Sequence, residues 1–403
     1  MMGMGALLPW NFFITAESYW QYKFRNVSLD NTTISPDVPF KTDLQFLYTP
    51  LQVVFSQIPN FIFLFLNSVF SDKIPQRIRL IGSLSLLITF FTVTTIFTQI
   101  NTDDWQVKFF GVNMVVIFFV NVAGAIWQGG IFGLAGMFPG KFMTATMTGM
   151  GISGVFAAVA RIVSLAAGAD PVECAFIYFL IAVVFMILTL VVYLLLTKMD
   201  YYKHYSTYEK IEEISIEQFS GENTGVISNY IHVFKKIWKL ALNVCFVYVV
   251  TLSIYPVIGV KIISSTTNPV WAKKYFQPVS TFLLFNVGDL IGRQTAGIWA
   301  WPRNNSKTLY IITFLRIFFI PLFLGCNNDY KSIYSYFHHD SIYMILMILF
   351  SVSNGHLTSL CMIYGPSSVS GLETEKAGAI MAASLGLGLL LGGIISFGFG
   401  SIQ

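Results

Sequence analysis

Apolar stretches of bilayer length follow one another along nearly all of this 403-residue chain. A backbone in hydrocarbon finds no water for its N–H and C=O groups, so each such stretch has to close its hydrogen bonds within itself as a helix. Eleven of them can be drawn, near 1–17, 45–70, 79–100, 108–138, 143–167, 173–197, 236–259, 275–302, 308–325, 341–364 and 377–401. Only 11% of the residues are charged and 55% are hydrophobic, against about 25% charged in soluble domains. The chain therefore reads as an all-α, polytopic membrane protein. The fourth segment exceeds one span and is expected to tilt or overrun the bilayer. The first has only sixteen residues before Glu17 and carries Pro9 in its middle. It reads as a span entered part-way along, kinked at the proline.

The one sizeable polar insertion, "KMDYYKHYSTYEKIEEISIEQFSGENTG" (198–225), separates six spans from five. The expected division is a bundle over 1–197, a cytoplasmic linker over 198–235 and a second bundle over 236–403. Counting Lys and Arg in the loops gives 13 on the linker side and 8 opposite, which puts the linker inside. The acceptor sequons at Asn26 and Asn31 then lie outside, where glycosylation occurs, and the one at Asn304 lies inside. The net charge of +4 reflects this loop bias and suggests no nucleic-acid partner. Cys174, Cys245, Cys326 and Cys361 are scattered, with neither a metal-binding nor a disulfide spacing.

"GMGISG" (149–154) fits a dinucleotide fingerprint literally, but it lies inside an apolar span and not between a strand and a helix. Close helix contact through small residues explains it better, as it does "QGGIFGLAG" and "LGLGLLLGG". "FHHD" (337–340) lacks the further ligands a metal would need and reads as a solvated loop. No nucleotide-binding loop, serine elbow or zinc-protease motif occurs, so the sequence makes no case for an enzyme, a metal or a cofactor.

Polar groups inside the spans say more. Asp289 and Arg293 sit at i, i+4 in an otherwise apolar segment, each at a cost of about 2.5–3.5 kcal/mol on insertion scales. Gln128 interrupts the fourth span, Gln57 and Asn60 the second, and Trp10 and Asn11 the first, while Arg161 and Arg316 put charge in the fifth and ninth. One reading is that Asp289 and Arg293 merely neutralise each other and lock helices. The other is that they converge with the amides on a midplane cavity, where transporters bind substrate. An acceptor, a planar donor and an amide suit a neutral, planar, hydroxyl-bearing solute.

Several further motifs occur in order: "LLPWNFFITA", "IPQRIRLIGSL", "WQGGIFGLAGMFP", "FNVGDLIGR" with its following "WP", "RIFFIPLF", "SNGHLTSLCMIYGP" and "KAGAIMAASLGLGLLLG". In these the chain resembles the equilibrative nucleoside transporters. The resemblance implies a major-facilitator-like fold of six plus five helices, and facilitative transport of nucleosides (adenosine and uridine), and of some nucleobases, by alternating access. It implies that Asp289 and Arg293 contact ribose hydroxyls and that Gln128 faces the base, with Gly124 beside it. Trp10, Leu7 and Leu389 become cavity walls and gate elements, joined by Phe282 and Asn286 on the face of Asp289. Tyr255 and Pro256 match an aromatic–proline pair of the seventh span. Substrate binding is expected to close an outer gate near Trp10. An inner gate would use Asp72, Arg77 and Arg79, for which a surface role is nearly as good a reading, and Arg316 counts among the gate and structural residues.

The chain departs from the pattern at Gln57, where an apolar wall is expected, and at Arg161, expected to snorkel toward the outer interface. The plasma membrane is expected ahead of a lysosomal one, and no oligomeric state is implied. Proton-coupled uptake through Asp289, a non-transporting receptor and, weakest, an ion channel remain as alternatives.

Overall fold

The structure, a computed structural model, describes residues 1–27, 42–71, 73–168, 170–205, 226–304, 306–328, 334–371 and 373–400. Helices α1 to α7 are Met2–Thr15, Glu17–Lys23, Asp43–Val69, Gln76–Gln99, Gln106–Met137, Gly140–Ala167 and Pro171–Leu196. Helices α8 to α13 are Val226–Ile254, Leu284–Ile298, Lys307–Leu315, Phe319–Leu324, Asp340–Ser367 and Glu373–Gly400. Nine helical stretches among the described residues are long and apolar enough to cross a membrane. They match nine of the eleven expected spans. The other two are built differently.

The first is α1, with only 14 residues. It runs through Pro9 as one continuous helix and gives way at Ala16 to α2. The eighth begins as π-helical turns, Trp271–Tyr275 and Gln277–Leu283, before settling into α9. Pro278 lies among those turns and has no N–H to give to the preceding turn. The ninth is a rod tightened in its middle: α10, a 3₁₀ turn at Arg316–Phe318, then α11. Pro321 explains the tightening, since its ring is incompatible with an ordinary α-helical carbonyl at Ile317.

The seventh span corrects the expected linker boundary. Helix α8 starts at Val226, ten residues ahead of 236. The reason is local amphipathicity: Val233 and Ile237 are buried on one side while Ile227 and Ile231 are exposed. Residues 206–225 lie outside the described ones.

The helices pack in two groups. Helices α1, α4, α5, α6 and α7 share a core rich in aromatic rings around Phe12, Phe13, Trp20, Phe91 and Phe179. Helices α8, α9, α11 and α12 share another around Ile254, Phe285, Phe323 and Phe350. A third cluster joins the groups, where α5 and α6 meet α8, α12 and α13. Outward-facing positions are apolar too, among them Val191, Leu195, Ile345, Leu349 and Ile394. That inverts the soluble pattern and suits lipid on all sides.

Small residues set the closest approaches. A Cβ at Gly355 of α12 would overlap the Asp289 carbonyl, and one at Gly292 of α9 would overlap the Val352 carbonyl. Both positions must be glycine for α9 and α12 to meet as they do. Gly151 of the "GMGISG" stretch likewise faces Leu290 and the stem of Arg293, so that motif is a helix contact. Overpacking here costs about 1–3 kcal/mol or more. Gly355→Leu is expected to lower the thermal midpoint of the purified protein by several degrees, whereas Gly393→Ala, which meets nothing within 4 Å, is expected to leave it unchanged.

Candidate functional site

Helix α9 presents the charged pair. Arg293 Nε donates to Asp289 Oδ2 at 2.6 Å, the bond expected of an i, i+4 pair. Both residues are 5% exposed. The other carboxylate oxygen, Oδ1, accepts from Asn354 Nδ2 of α12 at 2.7 Å. Charge-assisted bonds of this kind are the strong ones, and they hold the carboxylate at both oxygens.

This pair sits in the wall of a cavity of about 330 Å³ between the two helix groups, within the size range of small-molecule sites. Seven amide residues line it: Asn11, Gln57, Asn60, Asn121, Gln128, Asn286 and Asn354. Leu7, Trp10, Gly124, Tyr255, Pro256, Phe282 and Leu389 are also in the wall. The structure thus brings together in one cavity every residue the sequence suggested for substrate contact, with Tyr255 and Pro256 added. Trp10 stacks on Phe13 at 5.6 Å, and Tyr255 stacks on Phe285 at 3.9 Å. Gly124 has open space where a Cβ would lie. Among the described residues, the Gln57 carbonyl oxygen is buried with no hydrogen-bond partner.

The lining runs from Gln128 and Arg293 toward Ile14, Thr15 and Arg161 at the ends of α1 and α6 away from the linker. On the linker side the two groups are tied shut. Arg79 of α4 is buried, forms an ion pair with Glu375 of α13, and donates to Asn67 Oδ1 at 3.0 Å. Gln294 of α9 also crosses between the groups, donating to Thr148 of α6 at 3.0 Å, while Lys236 meets Glu373 at 2.7 Å within the second group. Arg77 is exposed and is not drawn into this contact, and Asp72 lies outside the described residues.

Arg161 lies toward the outer end of α6, in the cavity lining. Its guanidinium lies over the Phe282 ring at 5.1 Å and 3.8 Å from the Glu17 carboxylate, at the cavity's outer end. A ring face and an acid hold the cation there. Of the "FHHD" stretch, Asp340 accepts from Ser264 and Ser265, which tie it to the loop after α8.

Sequence reasoning missed Asn354, Thr251 and Glu375. Asn354 and Thr251 did leave a signal, being polar residues inside apolar spans. Glu375 left none, since an acid beside a helix start is ordinary.

The model of the nucleoside transporter family matches residues 114–401. Human equilibrative nucleoside transporter 1 is 36% identical, the match covering 100% of this chain and 96% of that protein. Equilibrative nucleoside transporter 2 of Rattus norvegicus is 32% identical over 99% of this chain and 95% of its own length. Among solved structures, a major facilitator superfamily proton:xylose symporter superposes with a TM-score of 0.63 at 13% identity, covering 99% of this chain and 86% of that one. The E. coli fucose:proton symporter gives 0.56 at 12%, covering 99% and 88%. These likenesses show the major facilitator fold.

Charge counting orders two substitutions. Asp289 stands between Arg293 and, through Asn354, Arg316. Asp289→Leu leaves two buried guanidiniums without a carboxylate, whereas Arg293→Met leaves one guanidinium and one carboxylate. Removing one partner of a buried pair costs about 3–5 kcal/mol. Asp289→Leu is expected to lower the thermal midpoint in detergent clearly more than Arg293→Met does, and equal losses would contradict the assignment.

Proposed function

Because the chain belongs to the nucleoside transporter family, we propose that the midplane cavity is its nucleoside site, with ribose on Asp289 and Arg293 and the base toward Gln128. The protein is a multi-pass membrane protein whose function is facilitative nucleoside transport, and it is not an enzyme. One observation carries the site assignment: a buried carboxylate and a buried guanidinium, bonded to each other, form part of the wall of a cavity that amides, aromatic rings and apolar side chains line beside them. Asp289 accepts one bond at each oxygen, and an ionised carboxylate offers about four lone-pair positions. Acceptor capacity therefore remains for two hydroxyls. A guanidinium beside it supplies donors to the same hydroxyl oxygens.

Transport follows from the two faces. The cavity is tied shut on the linker side by the contacts of Arg79 and Gln294, and its lining reaches the opposite side at Arg161. Alternating access requires those polar contacts to open while the helices around Trp10 and Phe282 close. The proposal includes a 6+5 division of the spans about the linker, adenosine and uridine as substrates, and the plasma membrane as the place of action. It also includes glycan attachment at Asn26, which is exposed, and at Asn31, which lies outside the described residues.

Radiolabelled uridine and adenosine uptake in cells lacking such transporters tests this. The wild type is expected to show saturable uptake that plateaus at equilibrium with and without a pH gradient. Asp289→Asn and Arg293→Ala are expected to lower uridine uptake about tenfold at equal surface labelling. An unmade bond strands a buried polar group at about 1–3 kcal/mol, so 2′,3′-dideoxyuridine is expected to move tenfold or more slowly than uridine. Uptake retained in both variants would return the pair to a purely structural role.

A further inference from the structure

Arg316 is a buried cation that the transport reading does not use. It lies 2% exposed at the 3₁₀ turn between α10 and α11. Its Nη1 donates to Asn354 Oδ1 at 3.3 Å, and its Nη2 donates to Thr251 Oγ1 at 3.0 Å and to the Phe350 carbonyl at 3.4 Å. The guanidinium also lies over the Phe350 ring, 5.0 Å from its centroid. None of the ion pairs among the described residues includes Arg316. Its link to a carboxylate runs through one amide, because Asn354 Nδ2 donates to Asp289 Oδ1 at 2.7 Å.

That amide has one tenable orientation. Reversed, Asn354 would set its NH₂ against the Arg316 guanidinium and its oxygen against the Asp289 carboxylate, two repulsive contacts in place of two attractive ones. Arg316, with the Thr251 hydroxyl that donates to the same Asn354 oxygen at 2.7 Å, holds the amide this way round, and Asn354 holds one oxygen of Asp289. The far side of the carboxylate is fixed by Arg293. The segment carrying Arg316 contributes no residue to the cavity wall, but Asn354 and Thr251, to which it donates, both line it, so its effect on substrate is exerted through them.

We infer that Arg316 is a positioning residue for substrate recognition: through Asn354 it orients the Asp289 carboxylate so that its remaining lone pairs face the ribose hydroxyls. The inference rests on the ribose assignment above. It separates Arg316 from a residue that merely packs helices, because positioning alters discrimination between hydroxylated and deoxygenated sugars, whereas packing lowers the transport of both alike.

The test compares uridine with 3′-deoxyuridine in proteoliposomes holding the full chain, taking the ratio of the two kcat/KM values so that the amount of active protein cancels. The wild type is expected to favour uridine by about tenfold, the worth of one hydrogen bond of ordinary strength. Asp289→Asn, Arg316→Gln and Asn354→Ser are expected to bring the ratio close to one. The change is expected as a higher KM for uridine with the 3′-deoxyuridine constants nearly unmoved. Arg316→Lys, which keeps the charge, is expected to retain an intermediate ratio. A collapsed ratio in Asp289→Asn with a wild-type ratio in Arg316→Gln would overturn the positioning role and leave the ribose assignment standing. An unchanged ratio in Asp289→Asn would overturn the ribose assignment itself. Should Arg316→Gln fail to fold, Arg316→Lys decides, an intermediate ratio supporting the positioning role and a wild-type ratio overturning it.

Discussion

The Asp289 carboxylate, shared by one guanidinium directly and by a second through Asn354, is the interaction on which the rest of this molecule depends. Charges at the middle of a bilayer are costly, and here they are held only because four helical segments bring partners to one point. Arg293 comes from α9, Asn354 from α12, Thr251 from α8 and Arg316 from the turn between α10 and α11. That demand explains the glycines at 292 and 355. Without backbone-to-backbone approach of α9 and α12 the amide would not reach the carboxylate. The same close packing leaves the pair facing the cavity on one side and protein on the other.

The polar character of the closing contacts has a kinetic meaning. Ion pairs in partly solvated positions are worth little on balance, about 0–1 kcal/mol when exposed, because water replaces each partner nearly as well. The exposed hydrogen bond of Gln294 with Thr148, between α9 and α6, is as readily exchanged for water. Arg79 with Glu375 is more buried and anchors the linker side more firmly. A transporter must leave its closed state readily, and contacts exchangeable with water suit that better than an apolar seam would.

Much of this was legible in the sequence, and for definite reasons. Bilayer-length apolar runs dictate helices, and i, i+4 spacing dictates that Asp289 and Arg293 meet. The amides stood out because each interrupts an apolar span. What escaped depends on three-dimensional register. The seventh helix extends to Val226 because an amphipathic stretch is buried on one side, which composition alone hides under the polar linker. Nothing in the sequence reveals that Phe282 and Glu17 converge on Arg161. The role of Arg316 required knowing that Asn354 stands between it and Asp289, 38 residues away from the arginine along the chain. Pairs that far apart leave no periodic signal.

The most direct measurement is a structure determined in lipid with uridine bound. The account predicts ribose hydroxyl oxygens within about 3.2 Å of the Asp289 carboxylate and the Arg293 guanidinium, the base toward Gln128, and the Asn354 amide still bridging Asp289 to Arg316. Uridine bound with its ribose against Gln57 and Asn60, leaving Asp289 and Arg293 in contact only with protein, would contradict it.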